Sequence, residues 1–147
     1  MTVRPWDPAR DRAAVVRCFA ELQDVERALE PSLPEGAAVA ETYVDWMVAR
    51  CAEWDGAVFV AEEGGGAVVG FVCVWAHVPP DDPSYHHDTA HVSDLVVLPA
   101  ARGRGIGRAL LARAEEHARA RGAERIRIGV LARNEGAHRL YRACGYR

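Results

Sequence analysis

The chain has 147 residues, half of them hydrophobic, and a formal net charge of −3 at pH 7. This length suits one globular domain over residues 1–147, and the apolar content excludes a disordered chain. Charged residues in the first dozen positions interrupt any signal-peptide apolar region, and no apolar run approaches the length of a membrane span. Together with four scattered cysteines, this predicts a cytoplasmic protein with reduced thiols and no membrane partner.

In the first half of the chain, turn residues separate apolar segments of strand and helix periodicity. Pro5 and Pro8 close the first strand, Asp7 caps the helix that follows, and Pro31 ends it. The Glu-Gly-Gly-Gly segment at 63–66 marks a hairpin turn. The predicted elements are a strand over 2–6, helices over 8–29 and 38–54, and strands over 57–62 and 67–77.

The second half begins with a polar loop over 78–89 and then repeats the pattern of strands and helices. A helical stripe that includes Leu110 and Leu111 ends at Gly122, which suits a helix C-terminus. The predicted elements are a strand over 90–98, a helix over 106–121, a strand over 126–130 and a last helix capped by Asn134. The order β-α-α-β-β-β-α-β-α predicts a mixed α/β layer structure.

A turn rich in glycine and arginine joins the strand over 90–98 to the helix that follows it. Its glycines allow positive φ and close approach of a ligand to the backbone, and its arginines carry donors suited to phosphate oxygens. The adjoining helix N-terminus also attracts anions. The residues predicted to bind phosphate are Arg102, Gly103, Arg104, Gly105, Ile106, Gly107 and Arg108. The alternative is a turn with solvated arginines, since the spacing fits neither a P-loop nor Gly-x-Gly-x-x-Gly.

Charge is divided unevenly along the chain. Residues 1–99 carry 6 arginines against 17 acidic residues, whereas residues 100–147 carry 12 arginines against 4 glutamates. A basic C-terminal part suits an anionic cofactor and an acidic N-terminal part suits a cationic substrate, unless folding disperses these charges. The arginines lie mostly on one helix and one strand without interleaved aromatic residues, which disfavours nucleic acid as a partner.

Two segments resemble motifs of the GNAT superfamily, the Gcn5-related N-acetyltransferases. The segment 102–107, Arg-Gly-Arg-Gly-Ile-Gly, is similar to the Arg/Gln-x-x-Gly-x-Gly/Ala pattern of motif A. In the segment 134–146, Asn134, Ala137 and Tyr141 fall on the Asn-x-x-Ala-x-x-x-Tyr-x-x-x-Gly-Phe/Tyr pattern of motif B. Both motifs in this order are strongly specific, and the resemblance is detailed over residues 91–146.

The resemblance implies a GNAT-like central mixed sheet flanked by helices. The family fold usually continues past the Gly-Phe/Tyr pair into a further strand, so we expect this sheet to lack that strand. The implied activity is transfer of an acetyl group from acetyl-CoA to a primary amine, by direct attack in a ternary complex and without a metal. The acceptor is expected to be a small cationic amine, and the protein is a candidate homodimer.

The resemblance also implies roles for individual residues. The backbone of Leu95, Val96 and Val97 would pair with the pantetheine arm of the cofactor, and the glycine-arginine turn would hold the pyrophosphate. Asn134 would contact the pantetheine or the segment beside it. Tyr141 matches the general acid that protonates the CoA sulfur, and its alternative role is that of a core aromatic residue.

The general base is less well defined by the sequence. Relatives often carry Glu at the position of Ser93, and Asp94 lies beside it. Asp94 could bind the substrate ammonium, as the acidic position does in the polyamine-acetylating branch, or it could relay a proton through water. It could also face a satisfied partner in the core. The loop before it is acidic and contains Tyr85, which suits an amine-binding rim or a solvated loop.

His86, His87 and His91 invite comparison with a zinc site, but their spacing fits no zinc pattern and no metal is predicted. The predicted enzyme has two alternatives. One is a CoA-binding module with weak or lost catalysis, and the other is an acetyltransferase that acts on a protein amine.

Overall fold

The computed structural model describes residues 1–131 and 133–147. Within them, four α-helices flank a five-stranded sheet. The helices are α1 (Pro8–Leu29), α2 (Gly36–Glu53), α3 (Ile106–Ala120) and α4 (Glu135–Ala143). The strands are β1 (Thr2–Pro5), β2 (Gly56–Glu63), β3 (Ala67–Val78), β4 (Thr89–Val97) and β5 (Ile126–Ile128), and a 3₁₀ turn covers Pro99–Ala101. The predicted element order and the mixed α/β class are confirmed, and in the described residues no strand follows α4.

The helix boundaries follow local capping chemistry. The side chain of Asp7 accepts a hydrogen bond from the Ala9 amide at 3.1 Å, with Pro8 at the first helical position. The buried Asp11 carboxylate, one turn later, binds Arg4 at 2.7 Å and so ties β1 to α1. At the end of α3, Gly122 adopts a φ of 86°, which allows the helix to stop there.

The sheet has the spatial order β1-β2-β3-β4-β5. The first four strands are antiparallel, whereas β5 is parallel to β4 and reaches it by way of α3. Helices α1 and α2 cover one face around Phe19, Met47 and Phe71. Helix α3 covers the other face around Leu110 and Leu111. The sheet is therefore buried on both sides by different helices.

A β-bulge in β4 changes which face its side chains occupy. Val92 pairs with Val74, whereas Asp94 pairs with the adjacent residue Cys73, so Ser93 is the extra residue. As a result Val92 packs against α3, whereas Asp94 and Val96 lie on the face covered by α1 and α2. The ladder between β4 and β5 also ends at Val92. Beyond that residue, β4 has an edge that no described strand pairs.

Candidate active site

The unpaired edge of β4 borders a cleft of about 400 Å³. One wall is the end of β4, and the opposite wall is α4. The glycine-arginine turn and the start of α3 close one end, and α1 contributes side chains from above the sheet. The predicted residues that line the cleft are Leu95, Val96, Val97, Arg102, Gly103, Gly105, Ile106, Gly107, Arg108, Asn134 and Tyr141.

The turn brings main-chain groups of its glycines to the cleft, in addition to side chains. Gly103 and Gly105 adopt φ values of 78° and 80°, a region that side-chain-bearing residues rarely occupy. Gly105 is the N-cap of α3, and no side chain caps that helix. The first amides of α3 thus have no intrahelical acceptor, and together with the helix dipole they attract an anion.

The three arginines of the turn have different surroundings. Arg102 donates from Nε to the carbonyl oxygen of Val97 at 3.0 Å and lines the cleft, as Arg108 does. Arg104 instead pairs with Glu63 at 3.0 Å and donates to the Ala100 carbonyl at 3.1 Å. Arg104 is the one predicted phosphate ligand whose side chain does not line the cleft. Convergence of all three guanidinium groups on one point is therefore not seen, and Arg104 anchors the turn to β2.

Helix α4 approaches the turn closely at a third glycine. A Cβ atom added at Gly107 would lie 3.1 Å from Cδ2 of Leu140 and 3.7 Å from Cγ2 of Val97. The missing side chain of Gly107 therefore allows α4 to pack closely against the start of α3. At the start of α4, the Asn134 side chain accepts from the Ala137 amide at 3.2 Å. This bond confirms Asn134 as a helix cap, and the residue also lines the cleft.

Tyr141 on α4 faces the cleft with a free hydroxyl. Burial, followed by the charges of Asp94 and Glu26, raises the pKa of Tyr141 to about 12. Its hydroxyl has no hydrogen-bond partner among the described residues. The phenol consequently keeps its proton throughout the neutral range and is available as a donor to a group in the cleft.

Asp94 lies behind the wall of the cleft, not on its lining. It is only 8% exposed, and Oδ2 accepts a hydrogen bond from the hydroxyl of Tyr43 on α2 at 2.7 Å. Burial raises the pKa of Asp94 to about 7, although the Tyr43 hydrogen bond acts in the opposite direction. The carboxyl group thus changes its protonation state near neutral pH. It is close enough for its charge to raise the pKa of Tyr141.

The sequence analysis missed several residues of the site. Leu22 and Val25 of α1 and Gly136 of α4 line the cleft. Tyr43 lies within the helix predicted over 38–54, but nothing in the sequence indicates that its hydroxyl reaches Asp94. Phe19 stacks on Tyr43, with ring centroids 4.0 Å apart, and thereby fixes its position. These contacts are long-range, and no local motif encodes them.

The histidines of the 78–89 loop and the start of β4 lie away from the cleft. His87 contacts Arg125 at 3.3 Å, and His91 contacts Arg127 at 2.7 Å. His77 lies 3.8 Å from Asp88. In the described part of the chain, no three histidine, cysteine or acidic side chains come close enough together to hold a metal ion. None of the helices described there is both long and apolar enough to cross a membrane.

Comparison with known proteins agrees with this geometry. The sequence profile of the acetyltransferase (GNAT) family matches residues 20–146. An uncharacterized N-acetyltransferase of Methanocaldococcus jannaschii is 34% identical over 110 residues, which are 73% of this chain and 45% of the relative. The aminoalkylphosphonate N-acetyltransferase of Salmonella typhimurium is 44% identical over 64 residues, 42% of each protein. The chain therefore spans less than half the length of these curated relatives.

A solved structure extends the comparison over the whole fold. The crystal structure of a GCN5-related N-acetyltransferase from Ralstonia eutropha superposes with a TM-score of 0.75 at 27% identity. The match covers 99% of this chain and 92% of that protein. With the family profile matching most of the sequence and the fold matching throughout, the chain belongs to the GNAT acetyltransferase family.

Proposed function

We propose that the protein is an N-acetyltransferase that transfers the acetyl group of acetyl-CoA directly to a primary amine in a ternary complex. The observation that carries the proposal is the arrangement of the cleft. A turn whose free amides suit an anion lies at one end, the unpaired edge of β4 runs along one wall, and the phenol of Tyr141 faces the interior. Acetyl-CoA has a pyrophosphate, an amide-bearing arm and a thioester in the same order.

The main chain of the cleft suits the long arm of this cofactor. The amides at the start of α3, with Arg102 and Arg108 beside them, would bind the phosphates. The backbone of Leu95–Val97 would hydrogen-bond the pantetheine amides in the manner of an added strand. Asn134 would contribute chiefly by capping α4, since its side-chain oxygen already accepts a hydrogen bond. These contacts would hold the thioester near Tyr141.

The reaction then requires three proton transfers. An alkylammonium with a pKa of about 10.4 must first lose a proton, because only the neutral amine can attack the thioester carbonyl. As the new C–N bond forms, the attacking nitrogen becomes positively charged and loses a second proton to give the amide. The C–S bond breaks, and the leaving thiolate takes up one proton. Tyr141 would donate that proton from its hydroxyl, which burial keeps protonated. Binding both substrates in one complex would further accelerate the reaction, because it holds the amine and the thioester in attack geometry.

Asp94 is our candidate for the acidic group that acts on the amine. Its position behind the cleft wall favours a relay through water, or a charge contact at the rear of the acceptor site, over direct contact with the thioester. Either role requires the ionised carboxylate. Because burial raises the pKa of Asp94 to about 7, the ionised form would increase as pH rises through the neutral range.

A CoA-binding module with weak catalysis is the second candidate, and the absence of Asp94 from the described cleft lining is the observation that favours it. An acceptor on a protein rather than a small molecule is a variant of the first proposal. A cytoplasmic location, a single domain over 1–147 and a homodimer stay predictions.

Thiol release from acetyl-CoA in the presence of an amine panel separates these candidates. The panel should contain a diamine, an amino alcohol, an aminoalkylphosphonate and a lysine peptide. Amine-dependent release of CoA supports the enzyme. CoA binding without release for any acceptor supports the binding module, and failure to bind CoA contradicts both.

A further inference from the structure

A pair of cysteines lies outside the cleft, where helix α2 packs on strand β3. The Sγ atoms of Cys51 and Cys73 are 3.6 Å apart and share a hydrogen bond. Cys73 is fully buried, whereas Cys51, near the end of α2, is partly exposed. The two residues are distant in sequence and form no motif, so the fold alone brings their thiols into contact.

The packing of α2 on the sheet holds this contact in place. A Cβ atom added at Gly56 of β2 would lie 3.0 Å from Cα of Cys51 and 2.6 Å from the carbonyl oxygen of Val74. The missing side chain of Gly56 therefore lets the helix backbone approach the strands closely. One helical turn before Cys51, the carbonyl of Met47 accepts a hydrogen bond from the indole of Trp75 at 3.3 Å. Helix and strand are thus held together on both sides of the thiol pair.

The two sulfur atoms are close to bonding distance. To form a disulfide of about 2.05 Å, the Sγ atoms of Cys51 and Cys73 would have to approach from their separation of 3.6 Å. Rotation about the Cα–Cβ bonds, with a small displacement of the helix, can supply that approach. The bond would then join α2 covalently to the centre of the sheet.

The two thiols also differ in reactivity. A hydrogen bond from the Cys73 thiol favours the thiolate of Cys51 and lowers the pKa of Cys51, although burial acts in the opposite direction. Burial raises the pKa of Cys73. Cys51 is therefore both the more accessible and the more readily ionised thiol. Cys73 lies beside it in the position of a resolving thiol.

We infer that Cys51 and Cys73 form a thiol-oxidation site, at which a peroxide produces a reversible disulfide between α2 and β3. The Cys51 thiolate attacks one peroxide oxygen, the O–O bond breaks, and Cys51 becomes a sulfenic acid as hydroxide leaves. The Cys73 sulfur then attacks the Cys51 sulfur. The S–S bond forms, the S–O bond breaks, and the thiol proton of Cys73 leaves with the hydroxyl group as water. Two electrons pass from the two thiols to the peroxide, and a dithiol returns them.

The disulfide would lie directly behind the wall of the cleft. Cys73 is paired with Asp94 across the sheet, and its carbonyl oxygen accepts a hydrogen bond from Ser93 at 3.4 Å. Tyr43, which donates to Asp94, precedes Cys51 on α2 by about two helical turns. Oxidation would therefore fix the helix that carries Tyr43 against the strand that neighbours Asp94.

The main test counts thiols and locates the bond. Fully reduced protein is treated with a few equivalents of hydrogen peroxide at neutral pH, and the remaining thiols are alkylated in denaturant. Wild type, Cys51→Ser and Cys144→Ser are compared, since Cys144 is also partly exposed. Intact mass gives the number of alkylated thiols, and peptide mapping identifies the linked cysteines. A non-reducing gel separates a bond within one chain from a bond between chains.

We expect wild type to lose two of its four thiols, with Cys51 linked to Cys73 within one chain and both thiols restored by dithiothreitol. Cys144→Ser should also lose two thiols, and Cys51→Ser should lose none. Wild type that keeps all four thiols would overturn the inference. So would a bond to Cys18 or Cys144, or an equal loss in Cys51→Ser.

The order of the two steps is tested with Cys73→Ala. This variant lacks the resolving thiol, so the sulfenic acid on Cys51 should persist and react with dimedone. Wild type treated in the same way should give little adduct, because Cys73 removes the sulfenic acid. An adduct on another cysteine of Cys73→Ala, or no adduct at all, would contradict the assignment of Cys51 as the thiol that attacks the peroxide.

The fit of the bond to the native packing is tested by thermal unfolding. A disulfide restricts the unfolded chain, so oxidised wild type should have a Tm about 5–10 °C above that of reduced wild type. Oxidised Cys51→Ser should show no such gain. A lower Tm in oxidised wild type would mean that the bond does not fit the native fold, and it would overturn the inference. None of these measurements uses acetyl-CoA, so their outcome is independent of the proposed function.

Discussion

The two ends of the cleft are built in different ways. The end proposed to bind phosphate, the phosphate end, is a continuous segment from the end of β4 to the start of α3 that glycines shape, and its free amides would be the main binding groups. At the other end, the acidic end, side chains from three elements contribute: Tyr43 of α2, Asp94 of β4 and Tyr141 of α4. One end is therefore defined by local backbone conformation and the other by tertiary packing.

This difference has a consequence for mutation. A site made mainly of amides is most readily disrupted by adding atoms or charge, because Arg102 and Arg108 are the charged side chains that could be removed there and the amides cannot be removed. A site made of side chains loses one function at a time as single groups are replaced. We expect substitutions at the phosphate end to act on cofactor binding, and those at the acidic end to act on rate, acceptor choice and pH dependence.

The largest effect is expected for Gly105→Asp. A carboxylate at the N-cap of α3 would occupy the free amides and repel the pyrophosphate, so CoA binding by calorimetry should be abolished. Gly105→Asn has nearly the same shape and the same positive-φ strain without the charge, and it should retain more affinity. If Gly105→Asp binds CoA like wild type, the phosphates bind elsewhere.

Tyr141→Phe should lower kcat on the order of 10²-fold, within the range of a positioned proton donor. The change removes one hydroxyl that has no partner among the described residues, so stability and CoA affinity should change little. Steady-state kinetics and CoA titration measure the two quantities separately. A kcat equal to that of wild type would leave Tyr141 with a packing role only.

Asp94→Asn should raise KM for a diamine by about tenfold, and less for an uncharged acceptor such as a hydroxylamine, because the lost contact is charge-assisted. Added salt should weaken the difference if the acidic end attracts the amine at long range. The measurement is kcat/KM for both acceptors in both proteins. Equal losses would show that Asp94 is structural.

The smallest effect is expected for Tyr43→Phe, which removes the hydrogen bond to Asp94 and keeps the ring stacked on Phe19. In wild type, kcat/KM should fall as pH decreases through about 7, because protonation discharges Asp94. The hydrogen bond from Tyr43 lowers the pKa of Asp94. Its loss should therefore move the fall in kcat/KM to higher pH. The variant should be a few-fold slower near neutrality and equal to wild type at high pH. If the fall in kcat/KM moves to lower pH in Tyr43→Phe, the pH dependence does not arise from Asp94.

The same division explains what could be predicted from the sequence. The positive φ of Gly103 and Gly105, the cap at Asn134 and the helix bounds depend on near neighbours, and the structure shows them as predicted, the bounds to within two residues. The outward direction of Arg104 depends on Glu63, which is distant in sequence. Likewise the bulge at Ser93 decides which face Asp94 occupies, and strand periodicity alone would assign the opposite face.

The packing of helix α4 also connects the two ends of the cleft. None of its residues is fully buried, and its apolar side chains, including Leu140, face the cleft. A molecule in that cleft would complete the packing of α4, so ligand occupancy and the local order of this helix are linked equilibria. In the proposed enzyme, part of the free energy of cofactor binding would be used to order α4 and so to fix the position of Tyr141. A substitution that disorders α4 would therefore weaken both CoA binding and acetyl transfer.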